Sequence, residues 1–243
     1  MIASSSAALA GVLPRPLLGR LVRSVYPRLE PELGRLAEFV PAGGTALDVG
    51  GWFGPWTQRL LARADRVVTV EADPEMAALL ARTFPRARVI AAAASDTTGT
   101  ASFAATAVSR LAGTSTVSAG GATVPCVRLD DLDLTDVRFL KLDIEGHELP
   151  ALRGAAQTVR RDEPAVLLEL EARHQPIEPV ISLLESWGYR GSVLHGGRWI
   201  PLRAFDLEGH QRDHVGELDR GFAGRLLRPE PRYVNSVLFL PEN

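Results

Sequence analysis

Cysteine, long apolar runs and an excess of charge of one sign are all missing from this sequence. Cys126 is the only cysteine in 243 residues, so no disulfide can form within the chain, which fits a reducing cytoplasm. No apolar run reaches the length that spans a bilayer, and the N-terminus lacks the basic stretch of a secretory signal. The formal net charge is only -2, which argues against a positive surface for nucleic acid. These absences predict a cytoplasmic globular protein with neither a membrane nor a nucleic acid as partner.

Short apolar runs alternate with helical patterns from Thr45 onward. This alternation predicts βαβ units, and therefore an α/β domain with a parallel sheet. Asp73 followed by Pro74 is typical of a helix start, because aspartate caps the helix and proline loses nothing at the first position. We expect a helical extension over 1–44 and one α/β domain over 45–243. The predicted strands cover 45–50, 66–72, 88–94, 137–143, 165–172, 189–195 and 232–241, and the predicted helices cover 55–64, 74–84, 148–161 and 176–187.

Two stretches lack this pattern. Residues 95–123 are rich in Ser, Thr, Gly and Ala, which predicts a hairpin around Thr98 and Gly99 and then a loop over 108–121. A loop of this length either covers a substrate site or is a surface insertion, and both interpretations stay open. Residues 200–231 are polar and glycine-rich, and the sequence predicts no structure for them.

The first predicted strand ends in a glycine-rich turn, residues 48–54. In an open parallel sheet, ligands bind beyond the carboxyl ends of the strands. A dinucleotide site needs a small residue where the pyrophosphate lies against the turn, and counting from Gly50 that position is Trp52. An indole there would obstruct a pyrophosphate. The turn therefore predicts a nucleoside ligand without phosphates.

The second predicted strand ends at Glu71, where a carboxylate can accept both hydroxyls of a ribose. Asp48 could reach the amino group of the ligand, or it could cap the turn instead. The small residues that end the third strand leave room for adenine. The predicted cofactor contacts are Asp48, Gly50, Gly51, Trp52, Gly54, Glu71, Ala72, Ala94, Ser95 and Asp143.

Several blocks resemble the FkbM family of methyltransferases. They are residues 48–54, Glu71, 128–132, 139–148, 151–155, 163–171 and 235–239. The most specific is the Lys-x-Asp-x-Glu-Gly block at 141–146. The resemblance implies a Rossmann-like class I methyltransferase fold, a seven-stranded sheet whose last strand is antiparallel, and S-adenosylmethionine as cofactor. It also implies O-methylation of a small molecule or sugar. Gly51-Trp52 departs from the Ala-Asn usual in the family, which puts fine contacts of the methionine end in doubt.

The same block carries the candidate catalytic residues. Lys141, Asp143 and Glu145 alternate, so in an extended segment they point to one side, near the open end of the sheet. Methyl transfer requires the acceptor to be oriented and its proton removed, and Asp143 is our central candidate. Glu145 and His147 follow, with His147 either a general base or a residue at a helix start. Lys141 could orient Asp143, stabilise an alkoxide, or form a structural salt bridge.

Metal use is the less favoured expectation. Asp143 and Glu169, with Glu171 nearby, could hold Mg²⁺. His210 and His214 have metal-like spacing but no third ligand, so we interpret them as surface histidines.

Three other functions remain open: an NAD-dependent oxidoreductase or epimerase, a non-catalytic Rossmann interaction domain, and a nucleic-acid methyltransferase. The Trp52 indole argues against the first, and the balanced charge argues against the last. The leading hypothesis has a small-molecule hydroxyl acceptor as partner. The N-terminal helices could also pack against a second copy of the chain.

Overall fold

The computed structural model describes residues 14–104, 116–117, 122–220 and 233–242. Most of the predicted loop over 108–121 and of the second half of 200–231 lies outside these residues. The helices are α1 (Arg15–Val25), α2 (Pro55–Leu60), α3 (Pro74–Thr83), α4 (Glu148–Arg153), α5 (Ala156–Asp162), α6 (Glu178–Ser186) and α7 (Leu207–His214). Short 3₁₀ segments lie at Tyr26–Arg28, Pro31–Glu38, Leu129–Asp131, Leu202–Ala204 and Val215–Arg220.

Twelve strands are described: β1 (Thr45–Val49), β2 (Arg66–Glu71), β3 (Arg88–Ala91), β4 (Ala93–Ala94), β5 (Gly99–Ala104), β6 (Thr116–Val117), β7 (Ala122–Val127), β8 (Val137–Leu142), β9 (Ala165–Glu169), β10 (Tyr189–His195), β11 (Arg198–Pro201) and β12 (Ser236–Pro241). Eight of them form the main sheet, in the order β11-β10-β12-β9-β8-β1-β2-β3. The pairs among β3, β2, β1, β8 and β9 are parallel, whereas β12 runs antiparallel to both β9 and β10. The predicted parallel sheet with an antiparallel last strand is confirmed.

The sheet has one strand more than the predicted seven. The extra strand, β11, folds back on β10 at the edge through Gly196 and Gly197. Their φ angles of 55° and 73° are both positive, and a two-residue hairpin turn of this kind favours glycine at both positions. The Gly-Gly pair was the available signal for this hairpin.

Two local predictions are wrong. The hairpin at Thr98 and Gly99 does not form, because β5 pairs antiparallel with β7 and β4 pairs parallel with β7, within a separate four-stranded sheet. The helix predicted over 148–161 is divided into α4 and α5. At Gly154, between them, a Cβ would come within 1.9 Å of the Ser95 carbonyl oxygen, so the chain passes too close for a side chain. Asp130 then accepts the N–H groups of Gln157 and Thr158 and caps α5.

The central strands are apolar because both faces of the sheet are covered. Every residue of β1 is buried, as are most residues of β8 and β9. On one face, the segment after α1 packs against the sheet through Leu33, Leu36 and Phe39. Asp73 caps α3 through the N–H groups of Glu75 and Met76, as predicted. In the part of the chain that the structure describes, no helix combines the length and apolarity needed to cross a membrane.

Candidate active site

The polar side chains of the core gather where β1, β2, β8 and β9 end. Asp48 on β1 stands beside Lys141 on β8 and Thr69 on β2 in the register of the sheet. Parallel strands present their carboxyl ends at one edge, so the residues that follow them meet there. This edge carries most of the residues that the sequence singled out.

The glycine turn after β1 lies against the segment after β8. Gly50 has a φ of 87°, and a Cβ on it would lie 1.9 Å from the carbonyl oxygen of Asp143. At Gly51 the nearest atoms belong to Thr69 and Leu80. Protein atoms therefore fill the space that a side chain would need at both glycines, and packing alone accounts for them. Contacts of their backbone with a cofactor stay a prediction.

Trp52 itself has a positive φ of 47°. Its half-buried indole packs against Tyr26 and Phe53, with ring centroids 5.6 Å and 5.0 Å away. The side chain therefore joins the glycine turn to the segment that follows α1.

Glu71 lies at the end of β2 and holds the turn in place. Its carboxylate accepts the N–H groups of Trp52 and Asp73, each at 2.9 Å. Burial raises the pKa of Glu71 to about 7 in spite of these two hydrogen bonds. A carboxylate has about four acceptor positions, so two remain for the hydroxyls of a ribose.

Asp48 is 1% exposed, and its two oxygens differ. Oδ2 accepts a hydrogen bond of 2.5 Å from the Thr57 hydroxyl, whereas Oδ1 has no partner among the described residues. Burial raises the pKa of this carboxyl to about 6. A buried acceptor without a donor is costly, so this oxygen suits a donor group of a ligand.

His147 lies apart from the other candidate catalytic residues. Its Nε2 is 3.1 Å from the hydroxyl of Ser95, which follows β4. Burial lowers the pKa of this histidine, although the negative charge of Asp96 opposes the shift. The structure thus groups His147 with Ser95, a predicted cofactor contact.

Lys141 and Asp143 form an ion pair at the end of β8. The distance from Lys141 Nζ to Asp143 Oδ2 is 2.7 Å, and the ammonium lies 5.6 Å from the centre of the Trp56 ring. Burial lowers the pKa of Lys141, but the neighbouring carboxylates, first Asp143 and then Glu30, outweigh it and raise the pKa above its ordinary value. Lys141 is also the only lysine in the chain, and the other strongly basic side chains are all arginine.

Glu145 does not lie with Lys141 and Asp143, contrary to the prediction that these three alternate side chains point to one side. The extended strand ends at Leu142, and Glu145 has a φ of 49°, so its side chain leaves the line of Lys141 and Asp143. Glu145 instead contacts His174 Nε2 at 2.9 Å, and that histidine also lies 3.5 Å from Glu171. Hydrogen bonds to these two acids raise the pKa of His174 to about 9.

Glu169 ends β9 and accepts a hydrogen bond from Asn235 Nδ2, which also donates to Glu171 at 3.0 Å. Burial raises the pKa of Glu169 well above its ordinary value, and the charge of Asp143 and a hydrogen bond with it add to the shift. Glu171 behaves in the opposite way: hydrogen bonds from His174 and Arg173 overcome its burial and lower its pKa to about 2.

Glu30, the last member of the site, has no signal in the sequence. Its carboxylate accepts hydrogen bonds from the Tyr26 hydroxyl at 2.7 Å and from Trp56 Nε1 at 2.6 Å. Carboxylate oxygens of Glu30, Asp143 and Glu169 lie within 4.8 Å of one another, a spacing that could hold a metal ion. Glu30 precedes the resembling blocks, and His174 stands outside them as well. His210 and His214, whose rings stack 4.1 Å apart, belong to no such group within the described ranges.

A sheet in this order, with an antiparallel last strand and acids at or next to the carboxyl ends of β1, β2 and β8, has the class I methyltransferase fold. The family model of the methyltransferase FkbM domain matches residues 46–190. This chain belongs to the FkbM methyltransferase family. No curated protein matches it.

Among solved structures to which the chain is similar, one with a TM-score above 0.5 agrees with this fold. Methyltransferase FkbM from Methylobacillus flagellatus KT has a TM-score of 0.51 and 17% sequence identity, over 82% of this chain and 43% of that one. A SAM dependent methyltransferase from Aquifex aeolicus has a TM-score of 0.44 and 16% identity, over 77% of this chain and 95% of that one. The chain thus spans less than half the length of the FkbM structure.

Proposed function

We propose that this protein transfers a methyl group from S-adenosylmethionine to a hydroxyl group of a small molecule or sugar. The observation that carries the proposal is the Lys141–Asp143 pair, which stands at the same sheet edge as Asp48 and Glu71. The Lys141–Asp143 pair provides a fixed carboxylate for the acceptor, and Asp48 and Glu71 provide contacts for the cofactor.

The described residues fit this cofactor at two positions. Asp48 Oδ1 is a buried acceptor that lacks a donor within the described part of the chain, and the amino group of the methionine moiety could supply one. Glu71 retains acceptor positions for the ribose hydroxyls. When bound, the cofactor supplies an already activated methyl group, and the surrounding carboxylates favour its positive sulfonium over a neutral ligand.

Asp143 would act as the general base. Its side chain is 18% exposed, whereas that of Lys141 is only 4% exposed, so an acceptor can reach the carboxylate but not the ammonium. Asp143 would accept the proton of the acceptor hydroxyl as that oxygen takes the methyl group that the bound cofactor would supply. The hydrogen bond from Lys141 fixes the direction of the carboxylate, and Glu169, whose carboxylate lies within 4.8 Å of it, adds a second neighbour.

Calorimetry with S-adenosylmethionine and S-adenosylhomocysteine tests the first half of the proposal. We expect micromolar dissociation constants for the wild type and at least tenfold weaker binding for Glu71→Gln, because hydrogen bonds to a charged group are worth about 1.5–3 kcal/mol. Glu75→Gln, in the first turn of α3 and on the surface, is the matched control. Binding of NAD instead would favour the oxidoreductase, and no binding of either would favour the interaction domain.

Transfer of labelled methyl to a panel of hydroxylated small molecules and sugars tests the second half. Asp143→Asn keeps the shape of the side chain but removes its basicity, so we expect cofactor binding to persist while transfer falls about 10²-fold or more. Asp136→Asn, on the exposed surface before β8, should transfer at the wild-type rate. Unchanged transfer by Asp143→Asn would exclude the carboxylate as base. The cytoplasmic location and the self-association of the N-terminal helices stay predictions.

A further inference from the structure

The segment after α1 reaches the active site through a single acid, Glu30. Glu30 is 7% exposed, and both of its oxygens accept hydrogen bonds, one from Tyr26 and one from Trp56. A buried carboxylate is costly unless it is paired, so its retention at this position needs a counterpart. The nearby positive charge is the ammonium of Lys141, which lies over the Trp56 ring that donates to Glu30 and is paired with Asp143, whose carboxylate is close to that of Glu30.

Two chains of contact lead from Glu30 to the two halves of the site. One passes through Trp56 Nε1 to the ring on which Lys141 rests, and so to Asp143. The other passes through the Tyr26 hydroxyl to a ring 5.6 Å from Trp52, in the glycine turn. Glu30 is the one residue that both chains have in common.

We propose that Glu30 is a positioning residue of the active site, which holds the Lys141–Asp143 pair and the Trp52 turn in their working arrangement and adds a negative charge beside the methyl donor. The inference rests on the proposed function for its cofactor. Its oxygens stand within 4.8 Å of those of Asp143 and Glu169, so its charge acts on the same space. In this role Glu30 acts through Tyr26, Trp56 and the Lys141–Asp143 pair rather than by contact with the reacting atoms.

Glu30→Gln removes the charge and keeps the size of the side chain, and Glu38→Gln makes the same change on the surface of the same segment. The first measurement compares the affinities for S-adenosylmethionine, which is cationic at sulfur, and S-adenosylhomocysteine, which is neutral there. We expect Glu30→Gln to reduce the ratio of the affinity for S-adenosylmethionine to the affinity for S-adenosylhomocysteine on the order of tenfold. This is the effect of removing one unit charge that solvent and ions partly screen. A purely structural loss would weaken both ligands equally and leave the ratio unchanged, which would overturn the charge assignment.

The second measurement needs no cofactor. Because Lys141 is the only lysine, protein labelled with ¹⁵N-lysine gives a single side-chain ammonium signal in NMR spectra of the full chain. We expect Glu30→Gln to shift this signal and to speed its exchange with water, whereas Glu38→Gln should leave it in place. An unmoved signal in Glu30→Gln would overturn the positioning role.

Should Glu30→Gln unfold, Tyr26→Phe provides the test, because it removes only the hydroxyl that donates to Glu30. The Lys141 signal should move in the same direction by a smaller amount, and no movement would again contradict the proposal. Failure of the wild type to bind either ligand would refute the proposed function, while the NMR comparison would still decide whether Glu30 positions Lys141. The two failures are therefore distinguishable.

Discussion

Lys141 Nζ donates to Asp143 Oδ2 across 2.7 Å, in a place where the lysine side chain is only 4% exposed. The other strongly basic side chains of the protein are all arginine. A lysine at this position therefore indicates that the site requires a compact ammonium group. A planar guanidinium is wider and carries its charge on several nitrogens, so it would displace either Trp56 or Asp143.

Removing this ammonium should be costly. Lys141→Met leaves the Asp143 carboxylate beside other acids without its partner, so we expect the free energy of unfolding to fall by about 3 kcal/mol. Arg15→Met breaks a pair of 2.6 Å between half-exposed side chains and should cost no more than about 1 kcal/mol. Urea unfolding at pH 7.5 measures both. A loss in Lys141→Met as small as the control would mean that the pair contributes little.

Gly50 tests whether the glycine turn is required by packing. Gly50→Ala places a Cβ 1.9 Å from the Asp143 carbonyl oxygen at a φ of 87°, so we expect a loss of about 3 kcal/mol or more. Gly34→Ala, where no atom lies within 4 Å of the added Cβ, is the control and should change stability little. Thermal unfolding compares the two. Equal melting temperatures would show that the segment after β8 can move away from the turn.

The raised pKa of Glu71 predicts a pH-dependent stability. The folded protein binds this proton up to about pH 7, whereas an unfolded chain releases it near pH 4.5, so the contribution of Glu71 to stability is lost as the pH rises between these values. Glu71→Gln removes this dependence. Its stability relative to the wild type should therefore increase by up to about 3 kcal/mol from pH 4.5 to pH 7.5. Urea unfolding across this range checks it, with Glu75→Gln as a control that should follow the wild type.

The raised pKa of His174 predicts that the folded protein loses stability as the pH rises. Its pKa is raised from 6.5 to about 9, so its interactions with Glu145 and Glu171 are fully present below pH 6.5 and are lost as the pH rises through 9. The wild-type free energy of unfolding should fall between pH 7 and pH 9.5. We expect His174→Gln to lack about 1 kcal/mol of this fall, a value reduced because solvent screens the partly exposed histidine. His214→Gln should decline like the wild type. Identical curves for wild type and His174→Gln would contradict the raised pKa.

The sequence was most informative where a residue type follows a strand. Asp48, Glu71 and Asp143 could be placed at one sheet edge because the carboxyl ends of parallel strands meet there, and all three residues lie at that edge. Glu145 was misplaced because the alternation rule was extended beyond Leu142, into a residue with positive φ. A local pattern cannot show where regular backbone stops.

Long-range contacts explain the remaining omissions. Glu30 stands in an unremarkable Leu-Glu-Pro sequence, and only the packing of its segment brings it to Trp56. His174 meets Glu145 across two different loops, 29 positions apart in the printed sequence. Gly50 is predicted as a cofactor contact, and the close neighbour that the structure shows there is the Asp143 carbonyl oxygen in the segment after β8.

The position of β12 bears on how the protein is synthesised. This strand follows both β9 and β10 in sequence, yet it lies between them, inside the main sheet. While the ribosome still covers residues 236–241, β10 and its hairpin partner β11 have no edge to join, and the exposed side of β9 remains unpaired. A nascent chain at that stage is therefore vulnerable to aggregation, and the sheet closes only once its final strand has emerged.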